Sequence, residues 1–166
     1  FESTLEESFA RRGRQVRLAT QIAQEIAASR ELGDLYQRVV SLVKEQFGYY
    51  HVQLLRYEPT LNAIALVVGY GQVGEQMLAQ HHQLPMGIGL IGTAAATGES
   101  VLRPNVHEDP DWQPNPLLPE TEGELAVPIK LGEQLLGVLD VQSEFAGLLS
   151  AEDQLLLEGL CGQIAI

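Results

Sequence analysis

The spacing of apolar residues predicts a long helix at the start of the chain. Ser3 and Glu6 form a capping-box pair, and the seam positions that follow recur at alternating steps of four and three residues. Residues 1–30 are therefore predicted to form a coiled-coil helix, because so narrow a stripe cannot build a globular core alone. The seam is imperfect at Arg12, and its apolar members, the predicted contacts of a homodimer, are Leu5, Phe9, Val16, Ala19, Ala23 and Ile26.

Two pairs of strand-like runs follow in residues 31–166, which are predicted to be one domain. The first pair covers residues 51–57 and 63–70, joined by the loop "EPTLN". The second covers residues 124–131 and 134–142, joined by a tight Gly-Glu turn. Strands joined in this way pair in antiparallel fashion, so the pattern predicts an antiparallel sheet.

Helical patterns flank these hairpins. An amphipathic helix begins at Asp34 and ends at Gly48, and a last helix begins at Ser150 with Asp153 in its first turn. Residues 74–83 predict a further short helical stretch between the two hairpins. The order of helices and strands predicts an α+β fold, not a doubly wound parallel sheet.

A G-x-G-x-x-G motif at Gly87, Gly89 and Gly92 raises the question of dinucleotide binding. No buried strand precedes these glycines, and the helix that follows is limited to residues 90–97 by the next glycine. Asp109, at the distance of a ribose-binding acid, lies in a proline-rich loop. The motif therefore indicates close backbone approach at the start of a short helix, which serves either a polar ligand or a packed turn.

Charge and cysteine content narrow the function. Ten Lys and Arg against 22 Asp and Glu give a formal net charge of −12, which disfavours nucleic acid as a partner. The single cysteine, Cys161, excludes an internal disulfide and fits a cytoplasmic protein. No apolar run is long enough to cross a bilayer, so no membrane contact is expected within this fragment. The ends of the chain suggest a segment of a longer polypeptide, which itself could be membrane-anchored.

Four stretches of the chain resemble a GAF domain, the sensory fold related to PAS: "GIGLIGTAAATGESVLRPNV", "DPDW", "ELAVPIKLGEQLLGVLDVQS" and "FAGLLSAEDQLLLEGLCGQIAI". The resemblance is greatest to GAF modules of bacterial multidomain signalling proteins, such as sensor histidine kinases and cyclic-di-nucleotide enzymes. It implies an antiparallel sheet of five or six strands, with the terminal helices on one face and a pocket under short helices and loops on the other. It also implies that the last helix continues into the parent protein.

The same resemblance implies which residues line the pocket. They are Tyr70, Met77, His82, Leu90, Ile91, Val106, Trp112, Leu117 and Glu124. Trp112 is the only tryptophan, and it either stacks on a flat ligand or closes a small empty core. Asp140 lies in an otherwise apolar strand, where it either titrates or anchors a ligand amine, or is a hydrated or hydrogen-bonded residue near a strand end. The pattern favours the last interpretation.

The sequence does not identify a cofactor, but it allows a metal, haem, a bilin and a cyclic nucleotide to be compared. His81 and His82 point in different directions on a helix, so they do not share one metal, although a single imidazole could bind haem as in some family members. A covalent bilin is disfavoured because Cys161 lies on the last helix. The Asn-Lys, Phe and Asp-Glu pattern of cyclic-nucleotide-binding members is matched only in part. Its counterparts are Asn105 followed by Val106, the isolated Phe145 and the reversed pair Glu152-Asp153.

The preferred functional interpretation is a regulatory sensor domain without catalysis, which binds a small molecule and relays a signal through its terminal helices. The alternative is a structural dimerisation module with a vestigial, ligand-free pocket. One branch of the family reduces free methionine sulfoxide using several cysteines, and the single Cys161 predicts that this reaction does not occur here. The fragment is therefore predicted not to be an enzyme.

Overall fold

The computed structural model describes residues 32–164 together with Arg17 and Thr20. The predicted coiled-coil helix of residues 1–30, with its dimer contacts from Leu5 to Ile26, lies outside the continuous described range. The boundary between that helix and the following domain therefore stays a prediction.

The secondary structure follows the predicted order of helices and strands. The helices are α1 (Leu32–Phe47), α2 (Gly71–Ala79), α3 (Gly89–Thr97) and α4 (Ala151–Ile164), with a 3₁₀ turn at Val106–Glu108. The strands are β1 (His51–Glu58), β2 (Ala63–Gly69), β3 (Gln83–Pro85), β4 (Val101–Arg103), β5 (Gly123–Leu131) and β6 (Gln134–Ser143). Of the helices within residues 32–164, none combines the length and the apolar character that a bilayer span requires.

The six strands form one sheet in the order β3-β2-β1-β6-β5-β4. Every neighbouring pair is antiparallel, including β1 with β6, which are far apart in sequence. The α+β fold with an antiparallel sheet of five or six strands is thus confirmed. The long strands β1, β6 and β5 lie side by side at its centre. Each of them therefore has a neighbouring strand on both of its edges.

Each face of this sheet buries a separate apolar core. Side chains alternate between the two faces of a strand, so Leu139 and Val141 of β6 pack with α1 and α4, whereas Val138 faces the other way. On that second face, α2 and α3 contribute Met77 and Ala94 to the core. The terminal helices and the short helices therefore cover opposite faces, as the resemblance implied.

A buried hydrogen bond joins the start of the sheet to the last helix. The Tyr49 hydroxyl donates to Asp153 Oδ1 at 2.7 Å, and Asp153 Oδ2 also accepts from the backbone N–H and the hydroxyl of Ser150, each at 2.9 Å. The predicted cap of the last helix by Ser150 and Asp153 is thus present. Asp153 therefore fixes the start of α4 against the segment that leads into β1.

Removing this hydroxyl should cost stability. We expect Tyr49→Phe to lower the free energy of unfolding by about 2 kcal/mol, because a buried bond to a carboxylate is lost. Tyr57→Phe is the matched control, since that hydroxyl reaches the exposed Asn62 at 3.4 Å, and it should change stability by less than about 0.5 kcal/mol. Urea unfolding of both variants checks this; equal losses would contradict it.

Candidate ligand-binding site

A cavity of about 590 Å³ opens on the face of the sheet that α2 and α3 cover. Seven of the nine predicted pocket residues line it: Met77, His82, Leu90, Ile91, Trp112, Leu117 and Glu124. Their role in binding a ligand stays a prediction. Leu84, Pro85, Ile88, Pro114 and Pro116 also line the cavity, so much of its wall is apolar.

Two predicted pocket residues, Tyr70 and Val106, do not line the cavity. Tyr70 lies between β2 and α2 and packs against the core on the opposite face, where the Lys44 ammonium lies 5.1 Å from the centre of its ring. Val106 is fully buried in the 3₁₀ turn. Tyr70 was misplaced because the sequence does not show to which side the chain turns where a strand becomes a helix.

The floor of the cavity contains polar side chains from three neighbouring strands. Strand register places Gln53 of β1 opposite Asp140 of β6, and Gln142 of β6 opposite Glu124 of β5. These residues share one face of the sheet because each strand contributes alternate positions. Gln53, Gln142 and Glu124 line the cavity, and Asp140 lies between Gln53 and Ala126 in the register.

Hydrogen bonds orient the two glutamine amides. Gln53 Nε2 and Gln142 Nε2 both donate to Asp140 Oδ2, at 3.0 Å and 2.9 Å. Their carbonyl oxygens have partners as well, since Thr121 Oγ1 donates to Gln142 Oε1 at 2.6 Å and His51 Nε2 lies 3.3 Å from Gln53 Oε1. An amide oxygen only accepts, so His51 donates from Nε2. The polar side chains of the floor are therefore joined in one hydrogen-bonded network.

Glu124 is the acidic group of the cavity lining. The indole N–H of Trp112 donates to Glu124 Oε1 at 3.0 Å, and Gln142 Nε2 lies 3.5 Å from Oε2. Burial raises the pKa of Glu124, and the neighbouring Asp140 and Trp112 side chains partly oppose that effect. The described residues that line the cavity include no lysine or arginine to balance this carboxylate.

Asp140 is hydrogen-bonded, as the interpretation favoured by sequence allowed, but it does not lie near a strand end. It lies in the middle of β6 with 0% of its surface exposed, so it is neither at a strand end nor hydrated. Only one of its oxygens is hydrogen-bonded, and Oδ1 is buried without a hydrogen-bond partner. Burial and the nearby charge of Glu124 raise the pKa of Asp140 well above its usual range. The other interpretation from sequence, a carboxyl that titrates, fits this buried environment better.

The loop over the cavity is held by local contacts on both sides of Trp112. Arg103 Nε donates to Asp109 Oδ2 at 2.9 Å, and Asp109 Oδ1 accepts the backbone N–H of Asp111. The Asp111 N–H and then Arg103 lower the pKa of Asp109. Asn115 reaches into the site, with Nδ2 lying 3.7 Å from Met77 Sδ. These contacts position the indole over the floor of the cavity.

The four histidines have different environments. His51 is buried on the cavity face of the sheet, and burial lowers its pKa to about 4. His82 lines the cavity, and burial lowers its pKa too. His81 is exposed, and His107 lies at the surface 3.0 Å from a Glu122 oxygen. Within the described range, no three His, Cys, Asp or Glu side chains are grouped so that they could hold a metal.

Cys161 lies on the opposite side of the sheet from the cavity. Its side chain is part of the core between the sheet and the terminal helices, and burial raises the pKa of its thiol. The thiol is therefore an unreactive core group.

The glycine motif forms a tight turn into α3. The N–H of Gly87 donates to the carbonyl of Gly92 at 2.8 Å. A Cβ on Gly92 would lie 2.5 Å from the Pro85 carbonyl oxygen, so this position requires glycine. The packing interpretation of the motif explains Gly92, while Gly89 lies at the cavity wall.

Comparison with known proteins identifies relatives of the whole domain. The family model of the GAF domain matches residues 29–166. No curated protein sequence matches the chain. Among solved structures, the GAF domain of a phosphoenolpyruvate-protein phosphotransferase from Coxiella burnetii is similar with a TM-score of 0.84 and 22% identity, covering 93% of this chain and 92% of that one.

Enzymes are also among the solved structures that share the fold of this domain. Free methionine-R-sulfoxide reductase from Neisseria meningitidis, solved in complex with its substrate, is similar with a TM-score of 0.80 and 22% identity, covering 91% of this chain and 86% of that one. The Staphylococcus aureus reductase, in its reduced form, has a TM-score of 0.75 and 20% identity, covering 91% and 92%. The prediction that the fragment is not an enzyme is contradicted by these neighbours, although identity this low shows only a shared fold.

Proposed function

This chain belongs to the GAF domain family, and on that premise we propose that its cavity binds a small molecule carrying a protonated amine, with Glu124 as the anchoring anion. The observation that carries the proposal is a carboxylate on the floor of the cavity without a cationic side chain beside it in the described lining. A desolvated anion is costly unless it is paired, so a ligand ammonium supplies what the site lacks.

The remaining walls favour a compact ligand with an apolar portion. A volume of about 590 Å³ falls in the range of small-molecule pockets. Leu84, Ile88 and Leu117 provide apolar surface above the polar floor. An amino acid or short alkylamine fits this division, because its charged end reaches the floor while its apolar part contacts the walls.

A regulatory role is supported by how the central strands connect the two faces of the sheet. Glu124 and Gln142 face the cavity, and the adjacent Leu125 and Val141 pack in the core under α1 and α4. A ligand that displaces the Trp112 indole from Glu124 would shift these strands and bias the packing of the terminal helices. We propose that the domain senses its ligand in this way within a larger signalling protein.

The alternative of a dimerisation module with a vestigial pocket is less favoured, because the cavity is not filled by its own side chains. Binding is required of a sensor and of an enzyme alike, so the reductases that share this fold also motivate a search for turnover. Methionine sulfoxide therefore belongs in any ligand panel, as the compound that gives those reductases their name.

Tryptophan fluorescence tests the proposal directly, because Trp112 is the only tryptophan of the chain and contacts Glu124. The probes are n-butylamine, n-hexylamine, leucine, methionine and methionine sulfoxide, with butanol and butyrate as uncharged and anionic counterparts. We expect saturable changes with amines only, and mass spectrometry of the recovered probe reports turnover. Equal responses to butanol, or no response to any amine, would refute an amine site.

Binding should also depend on pH. Protonation of Glu124 removes the anion, and burial raises the pKa of Glu124. Amine affinity is therefore expected to be lost as pH falls, starting at a higher pH than for an exposed glutamate, and to recover as pH rises. Titration of n-hexylamine across the acidic range checks this; affinity that is independent of pH would exclude Glu124 as the anchor.

A further inference from the structure

We propose that Asp140 carries a proton at neutral pH and donates it to Glu124, so that the two buried carboxyls present a single negative charge and select a monocation over a dication. This inference rests on the amine site proposed above. It assigns Asp140 the role of a positioning residue that determines the charge of the site, since Asp140 is not among the described residues that line the cavity.

The first step is the hydrogen bonding of Asp140 itself. Its Oδ2 accepts two amide N–H groups, from Gln53 and Gln142, which can only donate there. Its Oδ1 is buried without a partner, which is costly for an acceptor out of contact with water. A proton on Oδ1 turns that oxygen into a donor, which needs an acceptor nearby.

Glu124 is the acceptor on this face of the sheet. The same Gln142 nitrogen lies 2.9 Å from Asp140 Oδ2 and 3.5 Å from Glu124 Oε2, so the two carboxyls flank one amide group. Two carboxylates this close in a desolvated site do not both ionise readily, and one keeps a proton. Asp140 is the carboxyl that keeps the proton, because Glu124 already accepts the Trp112 N–H and faces the cavity.

The other titratable groups near the pair are neutral at neutral pH. His51 on β1 contacts Gln53, and His82 lies across the cavity; burial lowers the pKa of each imidazole. The described cavity lining has no lysine or arginine that could compensate a second negative charge. A proton therefore neutralises the charge of the Asp140 carboxyl.

A single negative charge has a consequence for ligand choice. One ammonium neutralises Glu124, whereas the second ammonium of a diamine would enter an apolar cavity without a counter-anion. We expect n-butylamine to bind at least about tenfold more tightly than putrescine. Burying the unpaired second ammonium of putrescine costs more free energy than a tenfold difference in Kd represents.

Two substitutions separate a protonated Asp140 from an ionised one. In Asp140→Asn the side-chain carbonyl still accepts the two glutamine amides and the new NH₂ donates to Glu124, as the protonated acid does. We expect n-butylamine affinity within about threefold of wild type for this variant, and a loss of at least about tenfold for Asp140→Ala, which leaves both amides and Glu124 without their partner. Equal losses in the two variants would show that the ligand needs an ionised Asp140.

A measurement without ligand decides the protonation state independently. The infrared spectrum of the wild-type protein at neutral pH should contain the C=O band of a protonated carboxylic acid that is missing from Asp140→Asn. Absence of this band in wild type would overturn the inference even if amines bind. Its presence together with no amine binding would retain the shared proton while refuting the proposed ligand class, so the two failures are distinguishable.

Discussion

Replacing Glu124 by Gln is expected to weaken amine binding by at least about 30-fold, corresponding to about 2 kcal/mol or more for removing one partner of a buried charge pair. The substitution keeps the shape of the side chain and its ability to accept the Trp112 N–H. It removes the negative charge that the ligand ammonium requires. Isothermal titration of n-hexylamine into wild-type and variant protein measures the difference.

The matched control is Glu133→Gln in the exposed turn between β5 and β6. It removes the same formal charge at a distance from the cavity, so affinity should change by less than about twofold at moderate salt. A loss of similar size in both variants would mean that the ligand responds to overall charge. Unchanged binding by Glu124→Gln would remove Glu124 from the site.

Replacing Gly74 by Ala is expected to give the largest loss of stability among the substitutions considered. A Cβ at this position would overlap the backbone of Gly69, whose Cα lies 2.6 Å away. The start of α2 would have to move off the end of β2, and overpacking of this kind costs up to about 3 kcal/mol. Because α2 carries Met77 at the cavity wall, amine affinity should fall together with stability.

Gly159→Ala is the control for this substitution. Gly159 lies inside α4, and a Cβ there meets nothing within 4 Å. Alanine in a helix interior should raise stability by about 0.5–1 kcal/mol. Thermal unfolding of both variants provides the comparison. Opposite signs are predicted, and a destabilised Gly159→Ala or a neutral Gly74→Ala would contradict the packing described for these helices.

Local patterns predicted most of the fold. Both hairpins were indicated by alternating runs that flank turn residues, and the end of α3 by Gly98, which adopts the left-handed conformation in the structure. These features depend on residues that are neighbours in sequence. The pairing of β1 with β6 is different, because it joins segments separated by most of the domain. The family resemblance implied one antiparallel sheet of five or six strands, but it did not say that β1 and β6 are neighbours.

The candidate site could be predicted only in part, because its residues lie on strands that are far apart in sequence. Gln53, Asp140 and Gln142 are polar residues at alternate positions of apolar strands, which is a signal that the sequence contains. That signal becomes a site only when β1, β6 and β5 are known to be adjacent. The sequence leaves a buried Asp140 as the less favoured alternative, because it does not identify β6 as a strand with neighbours on both sides, which is what covers its central residues.

The function prediction failed where it excluded catalysis. That exclusion rested on the single Cys161 and on the lack of a recognisable Ser-His-Asp spacing or acid pair in the sequence. Neither observation tests every chemistry that enzymes of this fold could perform, and catalytic groups need not be close in sequence. Reductases share this architecture over most of the chain, so absence of one set of thiols does not define the domain as non-catalytic. The proposed amine site is independent of that question, because it depends on carboxyl and amide groups.

A crystal structure of the domain grown with the amine that binds most tightly in the fluorescence panel tests the central claim most directly. We predict the ligand nitrogen within hydrogen-bond distance of the Glu124 carboxylate, its apolar part against Leu84 and Leu117, and the Trp112 indole N–H displaced from Glu124. An amine bound elsewhere, or a cavity that stays empty while Trp112 remains hydrogen-bonded to Glu124, would contradict this account.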